Sequence, residues 1–273
     1  MTWNGTLAIR RRRLEPFSQR ARRALARLSG GAVKTQRVYR VDIGDVVLKQ
    51  IVMPHRSAAA EVASVLRRLR DARVAPRLMA HLGNELWLEY LEGDLLHAGD
   101  PPPMDELARI FATLYRDEPR RVGRDERDFG REIEGDLDFL RGAGVLDARL
   151  DASLRDRARA WSPDAIWVGC DYSDARPANF LRTPDGELRV IDVESLRDDH
   201  LLGAGAVRAG LRWPGLAGDD LIARLVSLEA APFHADLDFV ELWFLASWTK
   251  RCVLLRKRRL VDPGLFARIA ERD

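Results

Sequence analysis

The segment between Asn179 and Asp192 constrains the fold most, because its pattern predicts a β-hairpin that brings those two residues together. Two short strand-like runs, residues 180–182 and 188–191, flank the turn sequence Thr183-Pro184-Asp185-Gly186. Proline at the second position and glycine at the fourth are typical of a type I turn. Amide and carboxylate oxygens suit Mg²⁺, so we predict that Asn179 and Asp192 are metal ligands.

A motif ahead of the hairpin has the spacing of a phosphotransferase catalytic loop. Asp174 lies five residues before Asn179, an arrangement in which a carboxylate orients a hydroxyl and an amide holds Mg²⁺. Such spacing arises by chance in about a quarter of comparable sequences, so its position after the apolar run 165–168 and before the hairpin gives it weight. The alternative is that Asp174 and Asp185 are turn residues, Asn179 a loop residue and Asp192 a helix cap.

A strand with a single lysine precedes a helix with a glutamate, as a phosphate-binding pair requires. The β-rich run 46–52 places Val47 and Lys49 on one face. Val47 would cover an adenine and Lys49 would reach the phosphates. We predict a helix from Ser57 with Glu61 in its first turn, positioned to hold Lys49. The alternatives are an edge-strand lysine and a surface acid.

The remaining upstream signals predict a small antiparallel sheet. Residues 36–52 form a hairpin with a turn at 42–45, and residues 86–93 read as an apolar strand that runs into a glycine. The end of that strand is the connector between lobes. Backbone groups of Glu89, Tyr90 and Leu91 would pair there with the edge of an adenine.

Four blocks of this sequence resemble the aminoglycoside phosphotransferase and choline kinase branch of the protein-kinase-like superfamily. They are residues 47–49, Glu61, residues 172–179 and Ile191-Asp192-Val193-Glu194. The last block is similar to the Ile-Asp-aromatic-Glu signature of that branch. The resemblance implies an α+β, two-lobed fold with ATP or GTP as donor, Mg²⁺, and transfer of the γ-phosphoryl group to a hydroxyl.

The implied fold divides the chain into three parts. Residues 1–29 would be a basic helical extension, residues 30–92 an N-lobe with the nucleotide-binding sheet and helix, and residues 93–273 a mainly helical C-lobe with the catalytic loop, metal site and acceptor site. Apolar residues at helical spacing predict two core helices in the C-lobe. They are Met104, Leu107, Ile110, Phe111 and Leu114 in one, and Phe129, Ile133, Leu137 and Leu140 in the other.

The catalytic loop departs from the family pattern at two positions. Tyr172 stands where the branch usually has histidine, and Arg176 stands where it commonly has histidine and protein kinases have lysine. The guanidinium of Arg176 would hold the γ-phosphate as negative charge develops. The alternative is a surface arginine paired with Asp171 or Asp174. Asp171 is also a rival for the base, and only the spacing to Asn179 favours Asp174.

Composition limits the location of the protein. No apolar run reaches the roughly 18 residues of a membrane span, and the dense stretch 239–255 reads as a buried helix. The chain starts without a signal-peptide pattern and has only two cysteines, Cys170 and Cys252, so we expect a cytoplasmic protein.

The N-terminal region is strongly basic. Arg10 to Arg13 are consecutive, and residues 16–28 have the pattern of a basic amphipathic helix. It would pack on the N-lobe, or contact an anionic membrane peripherally through residues 10–28; we do not expect a nucleic-acid partner. Gly30-Gly31 is either a phosphate-covering loop or a helix stop.

The acceptor is predicted only by class, as a small molecule or sugar. An acidic run from Asp125 to Asp138 would suit a cationic acceptor, or is simply a solvated face. A lipopolysaccharide, lipid-linked sugar or protein kinase is the alternative that the basic residues favour. A nucleotide-binding pseudokinase is a second alternative, since the loop histidine and a full glycine-rich loop are missing.

Overall fold

The computed structural model of the chain describes residues 9–14 and 36–272. Its strands are β1 (Ile9–Arg13), β2 (Arg37–Ile43), β3 (Val46–Val52), β4 (Leu78–Leu82), β5 (Glu85–Glu89), β6 (Asp94–Leu95), β7 (Arg120–Gly123), β8 (Ala165–Tyr172), β9 (Phe180–Arg182), β10 (Leu188–Val190) and β11 (Leu196–Leu201). Its helices are α1 (Arg56–Arg68), α2 (Met104–Tyr115), α3 (Phe129–Gly142), α4 (Ala148–Trp161), α5 (Ala204–Arg212), α6 (Gly218–Ser227), α7 (Leu237–Leu254) and α8 (Pro263–Ala270). These elements confirm the α+β prediction.

The chain divides into two compact units. The first contains the described residues up to His97 together with Pro177–Asp198. The second contains Ala98–Arg176 and the described residues from Asp199 onward. Part of the predicted C-lobe, the segment that carries Asn179 and Asp192, thus groups with the first unit. Main-chain pairing explains this, because β9 pairs with β6. The lobe limits predicted at residues 29 and 92 stay a prediction.

The first unit is built on a five-stranded antiparallel sheet in the order β1-β2-β3-β5-β4. β2 and β3 form the predicted hairpin with Ile43 opposite Val46, so the turn consists of Gly44 and Asp45 and is two residues shorter than predicted. β3 is the middle strand of the five. Lys49 therefore does not lie on an edge strand, and the solubilising-lysine alternative is wrong.

Helix α1 contributes an apolar face to the core of the first unit. Its buried residues recur at helical spacing: Ala59, Val62, Ala63, Val65 and Leu66. The helix begins at Arg56 after His55, and no side chain caps it. The predicted start at Ser57 is one residue late, and Glu61 lies in the second turn.

A second, three-stranded sheet in the first unit has the order β10-β9-β6. β9 and β10 form the hairpin predicted from the sequence, with Arg182 opposite Leu188. The Gly186 N–H donates to the Thr183 carbonyl at 2.9 Å, which closes the turn. The backbone of this hairpin is tied to the rest of the unit, because the Val190 N–H donates to the Val74 carbonyl at 2.9 Å.

The second unit is mainly helical. Both predicted apolar stripes are confirmed, since α2 buries Leu107, Ile110, Phe111 and Leu114 and α3 buries Phe129, Ile133, Leu137 and Leu140. Helix α7 is the predicted buried C-terminal helix and packs in the same core as α3. A small sheet has the order β11-β8-β7, and the predicted catalytic loop follows β8.

The basic N-terminal region is described only in part. Residues 10–13 belong to β1, where they pair antiparallel with β2, so this part of the predicted extension is a strand. The predicted helix at residues 16–28 and the pair Gly30-Gly31 lie outside the described residues. Within residues 9–14 and 36–272, no helix is both long and apolar enough to cross a membrane.

Candidate active site

Lys49 lies on β3, the middle strand of the first sheet, and its amine points to the end of the β9–β10 hairpin. Its Nζ donates to the carbonyl oxygen of Ile191 at 2.6 Å. Ile191 immediately precedes Asp192, so the predicted phosphate-binding lysine and the predicted metal ligand are brought together. This contact joins residues 142 positions apart in the sequence.

The predicted adenine-binding residues lie at the ends of two paired strands. Val47 is half-buried on β3, on the same face as Lys49. β5 pairs with β3 as far as Glu89 opposite Leu48. Tyr90 and Leu91 follow β5, outside the strand ladder. The adenine contacts themselves stay a prediction.

Glu61 is an exposed residue of α1 that contacts the chain after the hairpin. Its Oε1 accepts a hydrogen bond from the Asp198 N–H at 3.4 Å. On the same helix, the Arg68 guanidinium lies 3.0 Å from the Asp198 carboxylate. These contacts attach α1 to the segment that carries Asp192. The Lys49–Glu61 pair stays a prediction.

Asn179 and Asp192 flank the hairpin as predicted. Asn179 ends a 3₁₀ turn formed by Pro177–Asn179 and is 4% exposed. The Ile191 N–H donates to the Asn179 carbonyl at 2.9 Å, which aligns the two ends of the hairpin. Asp192 is half-buried and precedes the 3₁₀ turn Val193–Ser195 without a side-chain cap bond. It occupies the N-cap position of this turn, and its Oδ2 accepts from the Ser195 hydroxyl at 3.4 Å, so the helix-cap alternative stays open beside the metal-ligand prediction.

The chemistry of this pair fits Mg²⁺. Both side chains offer hard oxygen donors. Among the described residues, no group of three or more His, Cys, Asp and Glu is placed to hold a metal. One amide and one carboxylate are a small ligand set, which is typical of Mg²⁺ sites where substrate phosphates and water complete the coordination.

Asp174 lies in the second unit, in the loop after β8, and both of its carboxylate oxygens contact guanidinium groups. Oδ1 accepts from Arg208 on α5, and Oδ2 lies 3.3 Å from Nε of Arg176. The Asp174 side chain is 25% exposed. A carboxylate has acceptor sites for about four hydrogen bonds, so the two arginines occupy part of its capacity.

Arg208 is the functional candidate that sequence reasoning missed. It lies 34 residues after Asp174 on a helix without a motif. Burial is the largest cause that lowers the pKa of the Arg208 guanidinium. The attraction of Asp174 opposes this shift, and the nearby charges of Arg212 and Arg176 lower the pKa further. The one available signal was the pair Arg208 and Arg212, which lie four residues apart and therefore on one helix face.

Arg176 is 53% exposed and bonds to Asp174. This is the ion pair that the surface-arginine alternative predicts. Exposed ion pairs contribute about 0–1 kcal/mol, so the contact leaves the guanidinium available to a ligand. Its role at the γ-phosphate stays a prediction.

Asp171, the rival base, is fully buried. Its Oδ2 accepts from the Gly205 N–H at 2.9 Å, in the first turn of α5, where the helix dipole favours an anion. Tyr115 lies beside Asp171. Burial raises the pKa of the tyrosine well above its usual value, and the negative charge of Asp171 raises it further. Tyr172, in place of the family histidine, is also fully buried. Main-chain N–H groups of Tyr172 and Gly205 thus donate to the Asp171 carboxylate in the protein interior.

Four of the seven acids in the run from Asp125 to Asp138 form ion pairs with cations of the second unit. Glu126 pairs with Arg120 at 2.7 Å and Glu132 with Arg127 at 2.8 Å. Two further acids of the run, Asp136 and Asp138, pair with Lys250 and Arg155, each at 2.6 Å. Arg120 and Arg155 each also pair with an acid outside the run.

Comparison with known proteins identifies the fold. No family model matches the sequence, and no curated protein shows significant sequence similarity to it. Solved structures do match. Choline kinase LicA from Streptococcus pneumoniae aligns at a TM-score of 0.56 with 12% identity, over 86% of this chain and 88% of its own. LicA has also been solved in complex with AMP.

Two further kinases align over most of the chain. An ethanolamine kinase from Plasmodium vivax has a TM-score of 0.57 and 9% identity, and covers 96% of this chain and 82% of its own. A macrolide 2'-phosphotransferase type I has a TM-score of 0.54 and 14% identity, and covers 96% of this chain and 100% of its own. This chain shares its fold with these structures, which confirms the protein-kinase-like fold predicted from the sequence. The branch within that superfamily stays a prediction.

Proposed function

We propose that this protein is an ATP-dependent phosphotransferase that moves a γ-phosphoryl group to a hydroxyl of a small molecule or sugar. One observation carries the proposal: the hairpin and β3 bring Lys49, Asn179 and Asp192 together in the first unit, and Asp174 begins the loop that leads to Asn179. This set of a lysine, a carboxylate, an amide and a second carboxylate is what phosphoryl transfer requires.

Each residue has a role in the proposed mechanism. Asn179 and Asp192 would hold Mg²⁺, which supplies positive charge to the donor phosphates when bound. Lys49, supported by Glu61, would bind the α- and β-phosphates of ATP or GTP. Asp174 would orient the acceptor hydroxyl and accept its proton late in the transfer, while Arg176 would neutralise charge on the moving group. Val47 and the backbone of Glu89, Tyr90 and Leu91 would hold the adenine.

The experiment is incubation with γ-labelled ATP, Mg²⁺ and a cell extract, followed by separation of small molecules, lipid and protein. We expect label in the small-molecule fraction, and none with Asp174→Ala. Asp156→Ala is the matched control, because Asp156 is an acid on α4 whose side chain is 76% exposed. Label in the lipid or protein fraction alone would support the lipid-linked sugar or protein kinase alternative.

A nucleotide-binding pseudokinase is the second candidate, and the structure offers one observation in its favour. Both carboxylate oxygens of Asp174 contact arginines, which competes with an acceptor hydroxyl. A pseudokinase would bind ATP but label no fraction of the extract. Detection of any labelled acceptor that depends on Asp174 would exclude this candidate. The cytoplasmic location and the membrane contact of the basic N-terminus also stay proposals.

A further inference from the structure

Three arginines share the surroundings of one carboxylate in the second unit. Arg208 and Arg176 contact the two oxygens of Asp174. Arg212 lies one turn beyond Arg208 on α5 and is exposed. The three guanidinium groups therefore exceed the charge of Asp174 by two.

Trp248 on α7 holds two of these arginines on one aromatic surface. The Cζ atoms of Arg208 and Arg212 lie 5.7 and 5.2 Å from its ring centroid. Trp248 is half-buried and stacks on Phe244 at a centroid distance of 6.4 Å. A fixed ring under two guanidinium groups reduces the side-chain entropy that they lose when they bind a ligand.

The arrangement leaves hydrogen-bond donors and positive charge unmatched. Nε of Arg208 is buried and has no hydrogen-bond acceptor among the described residues. Within the same part of the chain, no carboxylate forms an ion pair with Arg212. Like charges four residues apart on a helix destabilise it, and a buried donor without a partner destabilises the folded state. An anion would relieve both costs.

More cations lie behind this surface. Burial raises the pKa of the Cys252 thiol above its usual value, and the positive charges of four neighbouring residues offset part of this shift. These cations are Arg208, Lys257, Arg212 and Arg251. Cations near this surface therefore lie on α5, at the C-terminal end of α7 and just after α7.

We propose that Arg208 and Arg212, with Trp248 and beside Arg176, bind an anionic group of the acceptor, a phosphate or carboxylate on a sugar, next to the hydroxyl that is phosphorylated. The proposal rests on the proposed function and names its substrate class. Planar guanidinium groups match the oxygens of phosphate and carboxylate in pairs. A cationic acceptor such as an amine would be repelled by the same three charges.

Binding of the anion also prepares Asp174 for its role. The anion competes for Arg208, so more of the acceptor capacity of the Asp174 carboxylate becomes available to the neighbouring hydroxyl. The hydroxyl oxygen then forms a bond to the γ-phosphorus, and the bond from that phosphorus to the β,γ-bridging oxygen of ATP breaks. The hydroxyl proton passes to Asp174 and then to solvent, and ADP leaves with the bridging oxygen.

The first test separates acceptors by charge before the reaction. A small-molecule extract is passed over an anion exchanger, and the flow-through and retained fractions are each incubated with γ-labelled ATP, Mg²⁺ and protein. We expect label only in products of the retained fraction. Treatment of that fraction with phosphatase beforehand, followed by removal of the phosphatase, abolishes labelling if the anionic group is a phosphate monoester and preserves it if the group is a carboxylate.

The outcomes distinguish the two proposals. Labelling in the flow-through alone would overturn the anionic acceptor but leave the phosphotransferase in place. No label in either fraction would overturn the phosphotransferase and the present inference with it. Labelling in both fractions at equal kcat/KM would also contradict an acceptor site selective for anions.

The second test compares variants of the protein, with the acceptor that becomes labelled as the substrate. Arg212→Gln should raise KM for the retained acceptor about 10- to 100-fold, the range for lost hydrogen bonds to a charged group, with KM for ATP unchanged. Arg212→Lys should recover part of the loss. Arg149→Gln is the matched control, because Arg149 is an exposed arginine on α4. Equal KM values for Arg212→Gln and Arg149→Gln would contradict the proposal.

Discussion

Asp171, near the end of β8, and Asp174, in the loop after β8, have opposite environments. Asp171 is fully buried and accepts from the Gly205 N–H at 2.9 Å, whereas Asp174 is partly exposed and bonds to two arginines. A general base must reach the proton that it accepts. Exposure, which the sequence does not show, therefore supports Asp174 over Asp171.

At the residue scale, we predict different effects for Asp192→Ala and Asp174→Asn. Asp192→Ala removes a proposed Mg²⁺ ligand and should abolish turnover. Asp174→Asn removes a proton acceptor and should lower kcat by about 10²- to 10⁴-fold. Steady-state kinetics with the acceptor from the labelled extract measure both. Unchanged turnover in Asp192→Ala would contradict the metal assignment.

At the scale of secondary-structure elements, the hairpin between Asn179 and Asp192 depends on the close approach of two segments of the main chain. Gly93 precedes β6 and has a φ of 145°, a conformation that only glycine adopts readily. A Cβ at this position would lie 2.1 Å from the Arg182 carbonyl oxygen on β9. No side chain can be accommodated without moving β6 away from the hairpin.

We therefore predict that Gly93→Ala displaces the hairpin. The substitution should lower the free energy of unfolding by at least about 1–3 kcal/mol, the cost of a strained backbone, and weaken nucleotide binding. Gly186→Ala is the matched control, since Gly186 also has a positive φ of 85° but nothing lies within 4 Å of its Cβ position. Denaturant titration and nucleotide titration of both variants measure the difference. Equal losses of stability would show that the contact with β9 is unimportant.

Helices α2 and α5 and strand β8 meet at a buried tyrosine. The hydroxyl of Tyr115 accepts from the Ala206 N–H at 3.2 Å, and burial and the charge of Asp171 raise its pKa. The folded state therefore keeps this proton at a pH where the unfolded chain, with a tyrosine pKa of about 10, has lost it. Stability from this group is complete below pH 10 and falls as pH rises above it.

The pH dependence gives a prediction for Tyr115→Phe. Between about pH 10 and 11, the free energy of unfolding of the native protein should fall more steeply than that of the variant, by about 1.4 kcal/mol per pH unit for one group. Urea titrations of both proteins at several pH values provide the two slopes. Identical slopes would contradict an effect of Tyr115 on alkaline stability.

At the scale of the whole molecule, the proposed nucleotide and acceptor residues belong to different compact units. Lys49, Asn179 and Asp192 lie in the first unit and Asp174 in the second. Residues of one unit should therefore affect one substrate more than the other.

We predict that Lys49→Ala weakens binding of ATP about 10- to 100-fold, the effect of losing a charged hydrogen bond to phosphate. Asp174→Ala should leave nucleotide affinity within about twofold. Titration with a fluorescent ATP analogue measures both. A large loss in Asp174→Ala, or none in Lys49→Ala, would contradict the assignment of these residues to separate substrates.

Local patterns determined much of this protein from the sequence alone. The turn at Thr183–Gly186, the alternation around Lys49 and the apolar stripes of α2 and α3 depend on neighbours within a few residues. For that reason the sequence predicts both hairpins and helices α1, α2, α3 and α7, together with Lys49, Asp174, Asn179 and Asp192 as the candidate site.

Only the tertiary structure decided which distant groups meet these residues. It placed Lys49 against Ile191 and Glu61 against Asp198. It also buried Asp171 and brought Arg208 to Asp174. Each contact joins segments more than 30 residues apart, where side-chain spacing carries no information. Packing of α5 against the catalytic loop sets the charge around the proposed base, and this charge led to the inference of an anionic acceptor.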